Sequence, residues 1–262
     1  MNNFLINKKN QTLSLLIIAC ACMVSVGSLQ ESGLQRLTKE NIESPKYIKE
    51  EAKEKLKLEF LSKMPSFGLE NLIADWTMLR FFQYFGDREA RQETGYSLSP
   101  LYLETIVDKD PRFVQAYLVI SPASSMFAGY PERTIELIDR GLADLSPNIP
   151  QAYFVWIYKG IDEILFTGDL EKAQKSYTKA AEWATIAGNE KVAKSASETA
   201  KFLASDPDSR DAQIGAWFAT WVSTSKEEIK KKAKLQIEKL GGELKVYPDG
   251  RVEAIPPKTS KS

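Results

Sequence analysis

Between Gln151 and Trp183 apolar residues fall at three- and four-residue steps, in two runs separated by Thr167-Gly168-Asp169. That spacing puts side chains on one face of a helix, so the stretch predicts a helical hairpin. Tyr153, Trp156, Ile157, Gly160, Ile161, Ile164 and Leu165 make the apolar side of the first helix. Ala173, Tyr177, Ala180, Ala181 and Ala184 make that of the second. Asp169, just after a glycine, is placed to accept from a free N–H and cap the second helix. Small residues at 173 and 180 around the ring at 177 let a neighbouring helix come close while the aromatic fills the groove.

The hairpin is echoed upstream. Ala116-Tyr117 precedes Ala152-Tyr153 by 36 residues, and Phe127-Ala128-Gly129 precedes Phe166-Thr167-Gly168 by 39. The extra residues fall around Pro122, which is expected to break or kink its helix by removing a backbone donor. From Glu132 to Leu142 the chain aligns without gaps on Glu171 to Ala181, pairing Thr134 with Ala173, Ile138 with Tyr177 and Gly141 with Ala180. Downstream, Val192, Ala196, Thr199, Ala200 and Leu203, then Ile214, Trp217, Phe218, Trp221 and Val222, predict a further, atypical hairpin. Ser225 with Glu228 has the spacing of a capping box for a last helix, Lys226 to Leu240. Ile229, Ala233, Gln236, Ile237 and Leu240 should face inward there, with Lys230, Lys231, Lys232 and Lys234 largely outward as a solubilising cap. Alternation about Pro248-Asp249-Gly250 predicts a small β-hairpin, and a disordered tail follows.

Ahead of these hairpins, residues 68 to 86 carry two apolar stripes. One is Leu69, Leu72, Ile73, Trp76 and Leu79; the other is Met78, Phe81, Phe82 and Phe85. A helix apolar on two sides is sandwiched between neighbours or lines a groove. Asp75 and Arg80 lie among these groups and are expected to pair with each other or with a neighbouring helix. Tyr47 to Met64 is dense in Glu and Lys; Glu51 with Lys55 and Glu59 with Lys63 support a solvated helix ended by Pro65-Ser66. Residues 87 to 98 read as a polar loop, and Pro100 as the first turn of a helix through Leu103, Ile106 and Val107 to Lys109.

No charged residue occurs between Lys9 and Glu31, and an uncharged run of that length just spans a bilayer as a helix. Basic residues before it and an acid after it favour a cytoplasmic amino end and an exported body. Three forms of the segment compete: an uncleaved signal anchor, a signal peptide cleaved near Val26-Gly27-Ser28, and a lipoprotein signal with Cys20 as lipid-bearing residue, since Ile17-Ile18-Ala19-Cys20 resembles a lipobox. Each implies export, and the reading favours membrane attachment.

The 151–183 pair resembles a single tetratricopeptide repeat, in which Ala, three residues and an aromatic mark the second helix. Gly68-Leu69, Leu72, Ala74-Asp75-Trp76 and Tyr84-Phe85-Gly86, followed by Asp110-Pro111-Arg112-Phe113, resemble the opening of a family of bacterial membrane-attached tetratricopeptide proteins. The resemblance implies an all-α fold: a right-handed solenoid of helical hairpins with an N-terminal membrane helix. The expected partition is 1–29 for the export or anchor segment, 30–64 for a tether and charged helix, 65–240 for the repeats, 241–256 for the β-hairpin and 257–262 for the tail.

Charge and chemistry narrow the function further. The 262 residues hold 35 basic and 35 acidic side chains and no histidine. A neutral balance gives no electrostatic case for nucleic acid, and the commonest neutral-pH acid/base and metal ligand is missing. Both cysteines, Cys20 and Cys22, lie in the uncharged run. No phosphate loop, dinucleotide fingerprint or nucleophile elbow appears, so no cofactor, metal or catalytic residue is expected. The leading expectation is a membrane-tethered adaptor or assembly factor binding a protein in a concave groove, with Trp76, Arg80, Tyr117, Tyr153, Trp156 and Tyr158 as candidate contacts. The alternative is an envelope enzyme acting on glycans through paired carboxylates such as Asp162-Glu163 or Glu70 and Asp75.

Overall fold

A computed structural model describes residues 44–257 of the chain. The uncharged run and Cys20, on which the anchor and lipobox expectations fall, lie outside the described residues. From Tyr47 onward the chain forms one unit, built almost wholly of helix. In order these are α1 (Ser44–Lys63), α2 (Glu70–Gly86), α3 (Arg88–Thr94), α4 (Ser99–Lys109), α5 (Val114–Pro122), α6 (Pro131–Leu142), α7 (Tyr153–Asp162), α8 (Leu170–Ile186), α9 (Glu190–Leu203), α10 (Arg210–Ser223) and α11 (Glu227–Lys239). An antiparallel pair, β1 (Glu243–Val246) and β2 (Val252–Ile255), closes the described chain with Val246 opposite Val252. Among the described residues no helix is long and apolar enough to cross a membrane.

Helices pack mainly on their sequence neighbours: α2 on α4, α4 on α5 and α6, α7 on α8, α8 on α9, and α10 on α11, with the β-hairpin against these last two. The larger core joins Leu58, Phe81, Tyr102, Ile106, Tyr117, Ile120, Ile138 and Val155. A second gathers Phe166, Ile214, Trp217, Ala233 and Ile237.

The two hairpins α5–α6 and α7–α8 share one construction. Each first helix ends in a π-helical turn, Ala123–Phe127 and Glu163–Thr167. Each turn is followed by a glycine in the left-handed region, Gly129 at φ 75° and Gly168 at φ 67°, where only glycine sits without steric cost. The aligned triads are buried on both sides: Thr134, Ile138 and Gly141 in α6, Ala173 and Ala180 in α8, with Tyr177 half-buried. Asp169 caps α8 by accepting from Lys172 N at 3.0 Å. The α-helix ends at Pro122, and the chain continues directly into the π turn.

The π turns also overturn part of the expected face. A wide turn adds a residue to the helical cycle and rotates everything after it by roughly 100°. Within the second turn Glu163 and Phe166 are buried while Ile164 and Leu165 are only half-buried; ahead of it, Asp162 is buried and Ile161 half-buried, which the turn does not explain.

Four other expectations are corrected. Residues 88–94 form α3 rather than loop, capped by Asp87 accepting from Ala90 N. Arg91 is buried there, its guanidinium 3.7 Å from the Tyr84 ring centroid and its Nη1 donating to Gly95 O at 2.5 Å. The Ser225–Glu228 box does not form; α11 begins at Glu227, and Thr224 Oγ1 accepts from Lys226 N at 3.1 Å. Lys232 is not simply outward, since its Nζ donates to Gly129 O and Glu132 Oε2, both at 3.0 Å. Finally, α1 is not a freely solvated helix. Tyr47, Glu54 and Leu58 are buried against the body, Ser97 Oγ donates to Glu51 at 2.5 Å, and Ser62 Oγ donates to Asp108 at 2.6 Å.

Candidate functional site

The two helices of the 151–183 hairpin enclose a cleft of 540 Å³ lined by Trp156, Lys159 and Glu163 from the first helix and its π turn, and by Lys172, Lys175, Ser176 and Lys179 from α8. Trp156 is half-buried and meets Trp183 edge-to-face at 5.8 Å between centroids. One turn on, Lys159 Nζ lies 5.3 Å from the Trp156 ring centroid, 2.5 Å from Asp139 Oδ1 and 3.5 Å from Glu163 Oε1. Glu163 is buried to 1 % exposure and its Oε2 accepts from Ser176 Oγ at 2.7 Å. Burial pushes its carboxyl above the usual range, against the opposing pull of Ser176 and Lys159. Its Oε1 accepts no hydrogen bond within the described chain, and neither does Trp156 Nε1 donate one.

Behind this floor the first π turn meets the end of α7 through a second carboxylate. Ser125 Oγ donates to Asp162 Oδ2 at 2.5 Å, and burial raises the Asp162 pKa to about 7. Thr134 Oγ1 and Ser124 Oγ lie 2.6 Å apart alongside. This polar seam ties the two hairpins where apolar packing was expected.

The rim is basic. Lys172 pairs with Asp169, Lys175 with Glu171 and Lys179 with Glu182, at 2.8, 2.6 and 2.7 Å. These pairs are exposed, and exposed pairs hold only weakly against water and salt. Their ammonium groups are therefore free to re-pair with a bound acidic group at small cost.

The expected contacts do not converge on one groove. Trp156 lines the cleft just described; Tyr153 is buried at the edge of a different one between Pro147 and Glu190, its hydroxyl accepting from Asn189 Nδ2 at 2.9 Å. Tyr158 is half-buried. Tyr117 is fully buried core, its hydroxyl donating to Pro111 O at 2.8 Å, and so presents no surface to a partner. Arg80 is paired with Glu54 of α1 rather than Asp75, and Tyr102 donates to the same carboxylate at 2.8 Å. Burial raises the Glu54 carboxyl, yet the Arg80 and Tyr102 hydrogen bonds outweigh it and hold it below its ordinary value. Trp76 stands on the outer face of α2, 56 % exposed.

Sequence reasoning missed Lys159 and Ser176, and named Glu163 only as half of the Asp162-Glu163 pair, not as part of this cleft. The signal was present, since Lys159 and Glu163 are four apart and Glu163 follows one face of α7, but an acid beside Ile164 reads as solvent-facing until the π turn is known. As for chemistry, Glu70 and Asp75 are both exposed on α2 and, five residues apart, diverge by about 140°. Among the described residues no group of three or more His, Cys, Asp or Glu side chains is arranged to hold a metal ion. Comparison with protein-family profiles, with curated proteins and with solved structures finds no match to this chain.

Proposed function

We propose that this chain is a membrane-tethered, tetratricopeptide-like protein-binding module, an adaptor or assembly factor for a membrane or envelope complex, held by its amino-terminal uncharged run with the helical body on the exported side. The observation that carries the reading is the cleft inside the α7–α8 hairpin. It joins an aromatic wall at Trp156, a ring of lysines, and a buried acid, Glu163, held by Ser176 and Lys159. Stems of Lys172, Lys175 and Lys179 supply apolar surface and their heads supply charge, a combination suited to an acidic peptide segment with an apolar anchor. Two hairpins of like construction, each ending its first helix in a π turn, support the repeat architecture. The earlier resemblance to bacterial membrane-attached tetratricopeptide proteins agrees with both parts of the proposal.

The test is a crosslinking pull-down from detergent-solubilised membranes, comparing the native chain with a Lys175→Glu/Lys179→Glu variant. Both lysines are largely exposed, so their reversal leaves the core intact. A discrete partner recovered with the native chain and lost with the variant supports the proposal. Nothing above background, or equal recovery with both, contradicts it.

A further inference from the structure

A cleft of 410 Å³ opens between α1, α2 and α3, and Arg91 lies in its wall. Arg91 is 7 % exposed, the most buried arginine among the described residues. Arg80 and Arg133 are only partly buried, and each is paired with a glutamate, Glu54 and Glu104. Arg91 has no carboxylate partner among the described residues. Its Nη1 donates to Gly95 O, its guanidinium rests on the Tyr84 ring, and its Nε donates to nothing described. A carbonyl and a ring stabilise a guanidinium without neutralising it, and a buried charge is costly until a counter-charge reaches it. The acids of the cleft are engaged elsewhere. Glu54 holds Arg80 and Tyr102, Glu51 accepts from Ser97 Oγ at 2.5 Å, and Asp87 accepts from Ala90 N at 3.1 Å as the α3 cap. Only Glu50 is left, exposed at the rim and screened by water.

We propose that this cleft binds a small organic carboxylate on the Nε–Nη2 edge of Arg91. The bond from Nη1 to Gly95 O commits the other side of the guanidinium. What remains is the edge whose two parallel N–H groups match the two oxygens of a carboxylate or a phosphate. Charge selects between them. A phosphate group at neutral pH brings about 1.5–2 negative charges toward Glu50 and Asp87, whereas a carboxylate brings one, and its plane continues that of the guanidinium. Lys53 and Lys57, four residues apart on the exposed side of α1, stand at the mouth and offset those acids. The volume falls within the roughly 300–1,000 Å³ of small-molecule sites. The site is separate from the Trp156 cleft, with which it shares no lining residue.

The full chain, labelled with nitrogen-15 arginine and held in detergent micelles, is titrated with acetate, succinate and benzoate, and in a parallel arm with inorganic phosphate. The expected result is that one arginine Nε–H resonance, the one missing from Arg91→Lys, shifts saturably with at least one of the carboxylates. Calorimetry with that carboxylate should give a dissociation constant raised about tenfold or more in Arg91→Lys, which keeps the charge and loses the bidentate edge. Lys53→Glu/Lys57→Glu, at exposed positions, should weaken binding several-fold. No saturable shift with any of the carboxylates, tighter binding of phosphate, or a constant indifferent to Arg91→Lys overturns the proposal. If Arg91→Lys does not fold, Lys53→Glu/Lys57→Glu decides: weakened binding upholds the proposal and unchanged binding overturns it.

Discussion

Asp162 shows how a single residue can set a pH response in this fold. Its carboxyl is held near 7 by burial, well above its value in an unfolded chain. An acid whose pKa rises on folding adds no penalty below the unfolded value, near 4, and a growing one as pH climbs toward 7, beyond which the loss is constant. The loss is on the order of 4 kcal/mol. Asp162→Asn, which keeps an acceptor for Ser125, is expected to flatten the fall in urea midpoint between pH 5 and 7 and to make the variant the more stable form at pH 8; parallel pH profiles would show otherwise. Close packing gives a second prediction. A Cβ on Gly141 would lie 1.8 Å from the Tyr117 hydroxyl, itself fully buried and bonded to Pro111 O, whereas one on Gly160 would meet the half-buried Tyr177 ring at 2.8 Å. Gly141→Ala should destabilise by at least the roughly 1–3 kcal/mol of an overpacked core, and Gly160→Ala by less, as measured by chemical denaturation.

For whole elements, what could be read from the sequence depended on the regularity of the helix. The faces of α6, α8, α9 and α11 follow the 3.6-residue period, so Ile138, Ala180, Leu203 and Ile237 are buried where the spacing put them. The period fails in α7 and its π turn: the turn leaves Ile164 and Leu165 half-buried around a buried Phe166, and ahead of it Val155 and Asp162 are buried while Ile157 and Ile161 are half-buried. Short α3 escaped notice because seven residues carry too little periodicity, although Asp87 and Gly95 bracket it. Helix α1 escaped for another reason: its docking uses polar groups, Glu54 with Arg80 and Tyr102, that read as solvated in a Lys/Glu-rich run. Glu54→Ala would strand a partly buried guanidinium and lower stability by about 3 kcal/mol. Because the Glu54 carboxyl lies below its unfolded value, its contribution is complete above the ordinary carboxylate range and lost as pH falls through the folded pKa. Hydrogen exchange in α1 should therefore rise on acidification in the native chain, while in Glu54→Ala it should be fast already at neutral pH.

Taken as a molecule, the chain announced its helical class and terminal β-hairpin, but not its sites. Trp156 was legible as an aromatic at a repeat position. The lysines and Glu163 around it were not, because their convergence depends on how two helices face each other across Gly160 and Ser176. Tyr117 and Tyr153 looked equivalent and both proved to be buried, Tyr117 completely because Gly141 opens a slot for its ring. The proposed attachment predicts that the chain sediments with membranes and that protease added from the exported side digests residues 47–262; cytosolic recovery of the full-length chain would refute it. The most direct measurement places a photoreactive benzoylphenylalanine at Trp156 in the membrane-bound chain. A discrete protein adduct that disappears with Lys175→Glu/Lys179→Glu is predicted, and the absence of any adduct, or one indifferent to the lysines, would contradict a partner-binding cleft.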